Sequence, residues 1–534
     1  MTWTISQMPS YLPFLIPLAW FAAAIAPLLP VPARSRWPIA RVLAATAMIL
    51  AASLLVMALQ HPVREGIIAG TGILAFRADP LSACVALMTA IVGWSILRFS
   101  QHYLDGDPGR LHFAAWFNLT LTSVSVFVLT NHLAVLALAW LATSLSLHRL
   151  LVFYPERPKA LLAAHKKFLV SRLADLLLVV AFVLLAQSAG SGEISVIAQR
   201  LAAGSVQASL PLEAAAGLIV MAAALKSAQL PFHGWLLQVM EAPTPVSALL
   251  HAGVVNMGGY LLLRLSPLIE VTHFASWLLL TFALITVAVA SLVMMTRISI
   301  KVMLAWSTTA QMGFMLLECA LGLYHLALAH LIAHSFYKAH TFLSSGQAPL
   351  YSLIRRAANE PTGHGVRNWS FALVAGAVAV ALAQYVSGKP LTATTAVTGV
   401  VIVSVVAVLL VEMGGSLGRS GWLKGFAASL AITGAYLLVE RLLTGVTLPS
   451  STPIASPAMI IAGITLLLLL AARAHIMLRP EAAPWRRARP LLYNGLYLDE
   501  AFTRVTFRLW PPKPRFRKEQ PEPAPIYRDQ GVSS

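Results

Sequence analysis

The stretch AAALKSAQLPFHGWLLQVMEAPTPVSALLHAGVVNMGGYLL, Ala222–Leu262, decides the fold. It is almost wholly apolar, yet Lys226 and His251 sit inside it. A charge at the centre of a bilayer costs about 2.5–3.5 kcal/mol on insertion scales, so an intramembrane ionisable group calls for a partner or for water. Pro231 follows Lys226 by one turn and a half. Proline removes a helix hydrogen bond and clashes with the preceding turn. The apolar run at 211–240 spans about 30 residues, too long for one straight crossing. A broken helix at membrane depth survives only where protein or a water-filled cavity covers the freed backbone. Such breaks hold ion sites in transporters. The plainer alternatives are a helix end with a tight loop, and a lysine that snorkels to the interface. His251 follows the Pro243-Thr244-Pro245 turn, and Gly258 and Gly259 permit close helix packing or a kink.

A second run, YHLALAHLIAHSFYKAHTFL (Tyr324–Leu343), carries His330, His334 and Lys338 at i, i+4 and i+8. One helix face therefore holds all three, about 6 Å apart along the axis, a step that one water bridges. Histidine titrates near neutral pH and passes a proton between its two nitrogens. His330 and His334 supply two metal ligands and no third is apparent, so no metal site is read here. The constellation points to protons or cations moving through a membrane; an interhelical hydrogen-bond face is the structural alternative.

The rest of the chain agrees with a membrane setting. Of its 534 residues, 58% are hydrophobic and 11% charged, with a mean hydropathy of +0.76. Soluble domains carry about 25% charged residues. The reading is an all-α polytopic membrane protein with about fifteen spans: 11–31, 39–60, 80–99, 111–130, 132–153, 163–187, 211–240, 245–266, 274–295, 300–321, 323–346, 368–387, 396–416, 422–444 and 455–475. The first run lacks a basic n-region and reads as a retained span. Odd-numbered loops hold about 17 Lys and Arg and even-numbered loops about 6, which places the N-terminus outside and the C-terminal tail in the cytoplasm. Cys84 and Cys319 are the two cysteines. With no CxxC, Walker or Rossmann motif, no cofactor is expected in this chain. Net charge is +18, and the last sixty residues hold 11 Lys and Arg against 6 Asp and Glu. The basic residues flank spans, which favours anionic membrane lipid or a soluble partner over nucleic acid. The tail, Ala474–Ser534, reads as an amphipathic segment followed by an extended stretch over Pro511–Pro525.

Further candidates follow from LVSRLADLLLVVAF, Leu169–Phe182. Arg172 and Asp175 stand at i, i+3, and Asp175 is the best acidic partner for Lys226. Lys301 begins a span on the expected cytoplasmic side, either as a lipid anchor or as the relay's first group there. Glu318, Glu412 and Glu440 lie nearer span ends and are weaker candidates.

These segments resemble the antiporter-like subunits of respiratory complex I and of Mrp-type cation/proton antiporters. The Ala222–Leu262 stretch, RISIKVMLAWSTTAQMGFMLL (Arg297–Leu317) and HLIAHSFYKAHTFLSSG (His330–Gly346) carry the likeness, which covers about residues 80–350 and returns in YNGLYLDEAF, Tyr493–Phe502. The resemblance implies inverted five-helix repeats with a broken helix near Lys226–Pro231. It divides the chain into N-terminal transmembrane helices (1–110), a first repeat (111–266), a degenerate second repeat (267–420), C-terminal transmembrane helices (421–475) and a basic cytoplasmic tail (476–534). It places Asp175, Lys226, His251, Lys301, His330, His334 and Lys338 on a proton or cation path, with Arg172, Pro231 and Glu241 in support. Three departures stand out. The family's glutamate after a fifth-span tryptophan is Leu141 here, following Trp140. Residues 368–390 lack the second break, and no long lateral helix is expected.

A chain altered in this way is similar to the membrane subunit of the DAB inorganic-carbon accumulation complex. That likeness implies a bacterial inner-membrane subunit, conducting H⁺ or Na⁺, beside a large cytoplasmic zinc-binding partner related to carbonic anhydrases. The zinc and the hydration of CO2 to bicarbonate would belong to the partner, so this chain itself is not expected to be an enzyme. The alternatives are a proton-translocating subunit of complex I or an Mrp Na⁺/H⁺ antiporter, and a membrane scaffold that conducts nothing.

Overall fold

The computed structural model describes residues 11–60, 67–347, 366–388, 392–414, 418–447 and 456–513. The chain opens with α1 (Leu12–Ile25) and α2 (Ala33–Ala58), then a short antiparallel ribbon of β1 (Ile67–Ala69) and β2 (Phe76–Ala78). Long helices follow: α3 (Pro80–Tyr103), α4 (Arg110–Leu129), α5 (Leu133–Leu151) and α6 (Pro158–Ala189). Next come α7 (Ile194–Ala202) and α8 (Leu210–Lys226), then the short α9 (Gly234–Gln238). A second interrupted helix is built from α10 (Thr244–Ala252) and α11 (Met257–Arg264), and α12 (Ser266–Val271) leads to α13 (His273–Met294), α14 (Ile300–Ala320) and α15 (Tyr324–Leu343). The C-terminal part adds α16 (Val366–Ser387), α17 (Ala393–Gly414), α18 (Gly418–Leu443), α19 (Ser456–Leu478), α20 (Ala483–Tyr493) and α21 (Leu498–Leu509).

This is a multi-pass α-helical membrane protein. The described parts of the expected runs are largely helical, with the run at 211–240 interrupted after Lys226. Among the described residues, ten helices are long and apolar enough to cross a membrane by length and composition, against the fifteen spans read from the sequence. One of the five runs outside that set is 211–240, where α8 stops after 17 residues. Where no water reaches, helix satisfies each backbone group within the segment. Ser and Thr hydroxyls follow the same economy by bonding the carbonyl one turn back, as Thr143 does to Ala139 and Ser100 to Ile96.

Helix boundaries follow local chemistry. Asp79 caps α3 in a reciprocal capping box with Ser82, and Pro80 takes the first helical position. Gly190, at φ +65°, ends α6 in the left-handed conformation that glycine adopts at least cost. The core runs from α1 to α15: α8 packs against α6 and α13, α10 against α3 and α15, and α14 between α13 and α15. Helices α16–α19 form a smaller cluster beside it. The tail folds back: Trp485 and Leu492 of α20 bury against Leu230 and Trp306. The expected amphipathic segment is thus two helices, α20 and α21; most of the expected extended stretch lies outside the described residues.

Candidate functional site

The chain breaks at Lys226 as the sequence leads one to expect. After the last residue of α8, Ala228 takes a left-handed conformation at φ +51° and the Leu230–Pro231 peptide is cis. Helix resumes at Gly234. The freed backbone groups find partners: Leu230 N donates to Thr286 Oγ1 at 3.1 Å, and Gln229 Nε2 donates to the Ser227 carbonyl at 2.9 Å. Gly258 lets α11 approach the break; a Cβ there would lie 2.6 Å from the Ala223 carbonyl oxygen. The neighbouring Gly259 faces Met315 in the same way.

Lys226 is buried, and its Nζ finds no hydrogen-bond partner among the described residues. It lies 4.3 Å from the centre of the Trp140 ring, a desolvated cation–π contact. Asp175 and Arg172 are its charged neighbours. The direct partner of Asp175 is Arg172, at 2.8 Å, rather than Lys226. Spacing explains this: an i, i+3 pair on α6 needs no help from a second helix. Arg172 also donates to Ser144 Oγ at 3.0 Å, and Ser144 accepts from Lys167 through both its carbonyl and its hydroxyl at 2.8 and 3.0 Å. Lys167, 2% exposed, is a site residue that sequence reasoning missed. It lies one turn into the span read at 163–187, beside Lys166, and so reads as an interfacial charge; only the packing of α5 against α6 shows it to be buried.

The second cluster gathers around α15. His251 Nδ1 hydrogen-bonds Thr308 Oγ1 at 3.1 Å, and its ring stacks on Phe342 at 4.3 Å. Lys338 Nζ donates to Ser307 Oγ at 2.8 Å and to the Leu304 carbonyl at 3.1 Å; Thr308 bonds that same carbonyl. His334 is 3% exposed, and neither ring nitrogen has a hydrogen-bond partner among the described residues. Lys338, His330 and His251 are its electrostatic neighbours. The His330 ring lies 6.3 Å from it and pairs with Glu318 at 3.1 Å. The i, i+4, i+8 face is therefore real, and Glu318, a weaker candidate from its position near a span end, belongs to it. Lys301 donates to Thr244 Oγ1 at 3.2 Å. Glu241 closes the 3₁₀ turn Val239–Glu241 and is half-buried. Glu440 pairs with His325 at 3.8 Å. The side chain of Glu412 lies outside the described residues.

Small polar groups join the two clusters. Ser227, next to Lys226, donates to the Val255 carbonyl at 3.0 Å, and Asn256 donates to Ser335 Oγ at 2.7 Å, beside His334. Their signal in the sequence is faint, because a lone Ser or Asn in an apolar helix is common. At the other end of the first cluster the tail returns. Lys166, next to Lys167, donates to both Asp499 oxygens at 2.7 and 2.9 Å and to Thr503 at 2.7 Å. Gly234 leaves the room that the Asp499 carboxylate fills, and the Trp510 ring stacks on His165 at 4.0 Å.

Comparison with known proteins fits this geometry. The family model for the transmembrane region of NADH:quinone oxidoreductase and Mrp antiporters matches residues 130–411. The chain belongs to this antiporter family. A second model, for the N-terminus of complex I chain 5, matches residues 73–114. The chain is 38% identical over 427 residues to the probable inorganic carbon transporter subunit DabB of Hydrogenovibrio crunogenus, covering 79% of this chain and 81% of that one. It is 40% identical over 466 residues to the probable subunit DabB2 of Halothiobacillus neapolitanus, covering 83% and 82%. Among solved structures, a chain of the Mrp complex from Dietzia sp. superposes with a TM-score of 0.56 at 23% identity, over 93% of this chain and 56% of that longer one. A chain of an archaeal membrane-bound sulfane sulfur reductase gives 0.57 at 17% identity, over 94% and 97%. These likenesses to solved structures concern the fold. The resemblance read from the motifs is borne out, and the family is one of antiporter-like, ion-translocating membrane subunits.

Proposed function

We propose that the chain is the cation-conducting membrane subunit of an energy-coupled inorganic-carbon uptake complex, with the proton as the expected ion. The observation that carries this is the buried Lys226 at a helix break, with no hydrogen-bond partner among the described residues, joined through Ser227, Asn256 and Ser335 to a second buried set at His251, His334 and Lys338. Unsatisfied amines and imidazoles in an apolar interior are costly unless they exchange protons or meet water in turnover. The inorganic-carbon transporter subunits among its relatives point to the substrate class.

The residues divide the work by position. Lys226, Asp175 and Lys167 make one station, able to hold or release a proton according to the charge of its neighbours. His251, His334 and Lys338 make the second. Arg172 holds Asp175, and Pro231 keeps the helix open beside Lys226. Each charge that crosses yields about 2.3 kcal/mol per 100 mV. In this reading the cation moves inward, and its energy biases CO2 hydration by a large cytoplasmic zinc protein related to carbonic anhydrases, docked on the basic tail face. The chain itself then carries no catalytic centre and sits in a bacterial inner membrane with its tail in the cytoplasm. The outward-pumping alternative is weakened by Leu141, which supplies no carboxylate next to Trp140, and by α16, which runs unbroken through Val366–Ser387.

The test is Lys226→Met in cells that depend on the complex for bicarbonate accumulation. Uptake should be lost while the complex still assembles. Normal uptake would remove the lysine from the mechanism. Co-purification with several quinone-reductase or Mrp subunits, in place of one zinc-bearing protein, would overturn the carbon-uptake reading.

A further inference from the structure

The relay as described needs an opening on the face away from Lys301, and the family motifs do not supply one. Glu318 lies on the last turn of α14, about 25 Å along that helix from Lys301 at 1.5 Å per residue. It pairs with His330 on α15 at 3.1 Å. One and a half turns nearer the start of α15, His325 pairs with Glu440 of α18 at 3.8 Å. Tyr436, one turn before Glu440, is in electrostatic reach of both Glu440 and Glu318 and shares a hydrogen bond with Thr398 of α17. A cavity of about 70 Å³, lined by His325, Gln384, Thr398, Tyr436 and Glu440, opens beside them, room for a few waters. On the same side, Glu270 hydrogen-bonds Tyr324.

The cluster is aimed inward by an independent feature. His334 is buried with both ring nitrogens unpartnered among the described residues, and its ring faces His330 at 6.3 Å. An imidazole that has no partner of its own and sits one water away from a carboxylate–imidazole pair is placed to take a proton from it.

We propose that the Glu318–His330 and Glu440–His325 pairs, with Tyr436 in reach of both glutamates and the water-sized cavity at the Glu440–His325 pair, form the relay's proton-loading mouth on the face opposite the tail. Helix α18, from outside the two antiporter-like repeats, supplies the carboxylate that α16 lacks. This rests on the proton-conducting reading above. The balance is simple: hydronium at the mouth gives its proton to a carboxylate or imidazole and leaves as water, and His330 passes the proton to His334.

The test uses the complex purified with its accompanying subunit and reconstituted in vesicles holding a pH-sensitive dye, with an imposed potential. Glu318→Gln and Glu440→Gln should each lower proton flux about tenfold or more, while Glu440→Asp retains it. In a Cys84→Ala, Cys319→Ala background, Glu440→Cys should react in cells with a membrane-impermeant thiol reagent added from outside. Lys226→Met is the reference. If it abolishes flux while both glutamine variants conduct normally, the mouth is wrong and the conducting reading stands. If Lys226→Met conducts normally, the conducting reading fails and the mouth falls with it. Failure of Glu440→Cys to label from outside overturns the proposal even where the glutamine variants are unstable.

Discussion

Replacing Asp499 by asparagine should loosen the C-terminal helix α21 without disturbing the spans. The Lys166 side chain is 0% exposed and the Asp499 side chain 26% exposed. Two of the three hydrogen bonds made by the Lys166 ammonium go to Asp499. Breaking a fully buried pair costs about 3–5 kcal/mol because an uncompensated charge remains; an exposed pair is worth about 0–1 kcal/mol. With the carboxylate partly in water and one amide oxygen retained, the loss falls between, about 2 kcal/mol. That raises the open population of the helix about 30-fold, at 1.4 kcal/mol per factor of ten. Hydrogen exchange of the purified protein reads it directly: amides of Leu498–Leu509 should exchange about 30-fold faster, with α3–α6 unchanged. The paired variant Lys166→Met, Asp499→Leu removes both charges, and apolar replacements of buried pairs are often neutral or stabilising, so protection should return. Unchanged exchange in Asp499→Asn, or a paired variant as labile as the single one, would refute the reasoning.

Other consequences follow from the same geometry. Gly258→Ala places a methyl group 2.6 Å from the Ala223 carbonyl oxygen, where the backbone must shift; thermal melting should register a loss of about 1–3 kcal/mol. Arg264→Met leaves buried Asp79 with Arg77 at 3.5 Å as its remaining cation, and should cost about 3–5 kcal/mol in the same assay. Thr308→Val removes the hydroxyl bonded to His251 Nδ1; we expect vesicle proton flux to fall by more than the melting temperature does, with Thr308→Ser restoring it.

Much of this was legible early because a membrane makes polarity conspicuous. Lys226 and Pro231 announce a break, since neither is tolerated in a straight lipid-facing helix. His330, His334 and Lys338 share a face by periodicity alone. What the sequence left open is pairing. Asp175 suits Lys226 by charge, yet Arg172 holds it, because the local pair forms on one helix. Glu318 reads as a span-end residue, but the turn from α14 to α15 brings it to His330.

What the sequence by itself determined is where the costly groups lie: apolar runs, a break at Lys226, and a titratable stripe on one helix. These are one-dimensional facts, set by the composition of each segment. Which groups meet was decided by the tertiary structure alone. Lys166 meets Asp499 across 333 residues, Asn256 meets Ser335 across 79, and Lys167 is buried by α5. The physical reason is that a burial penalty belongs to a residue, whereas its compensation belongs to a pair. Local sequence carries the first, and only helix packing carries the second.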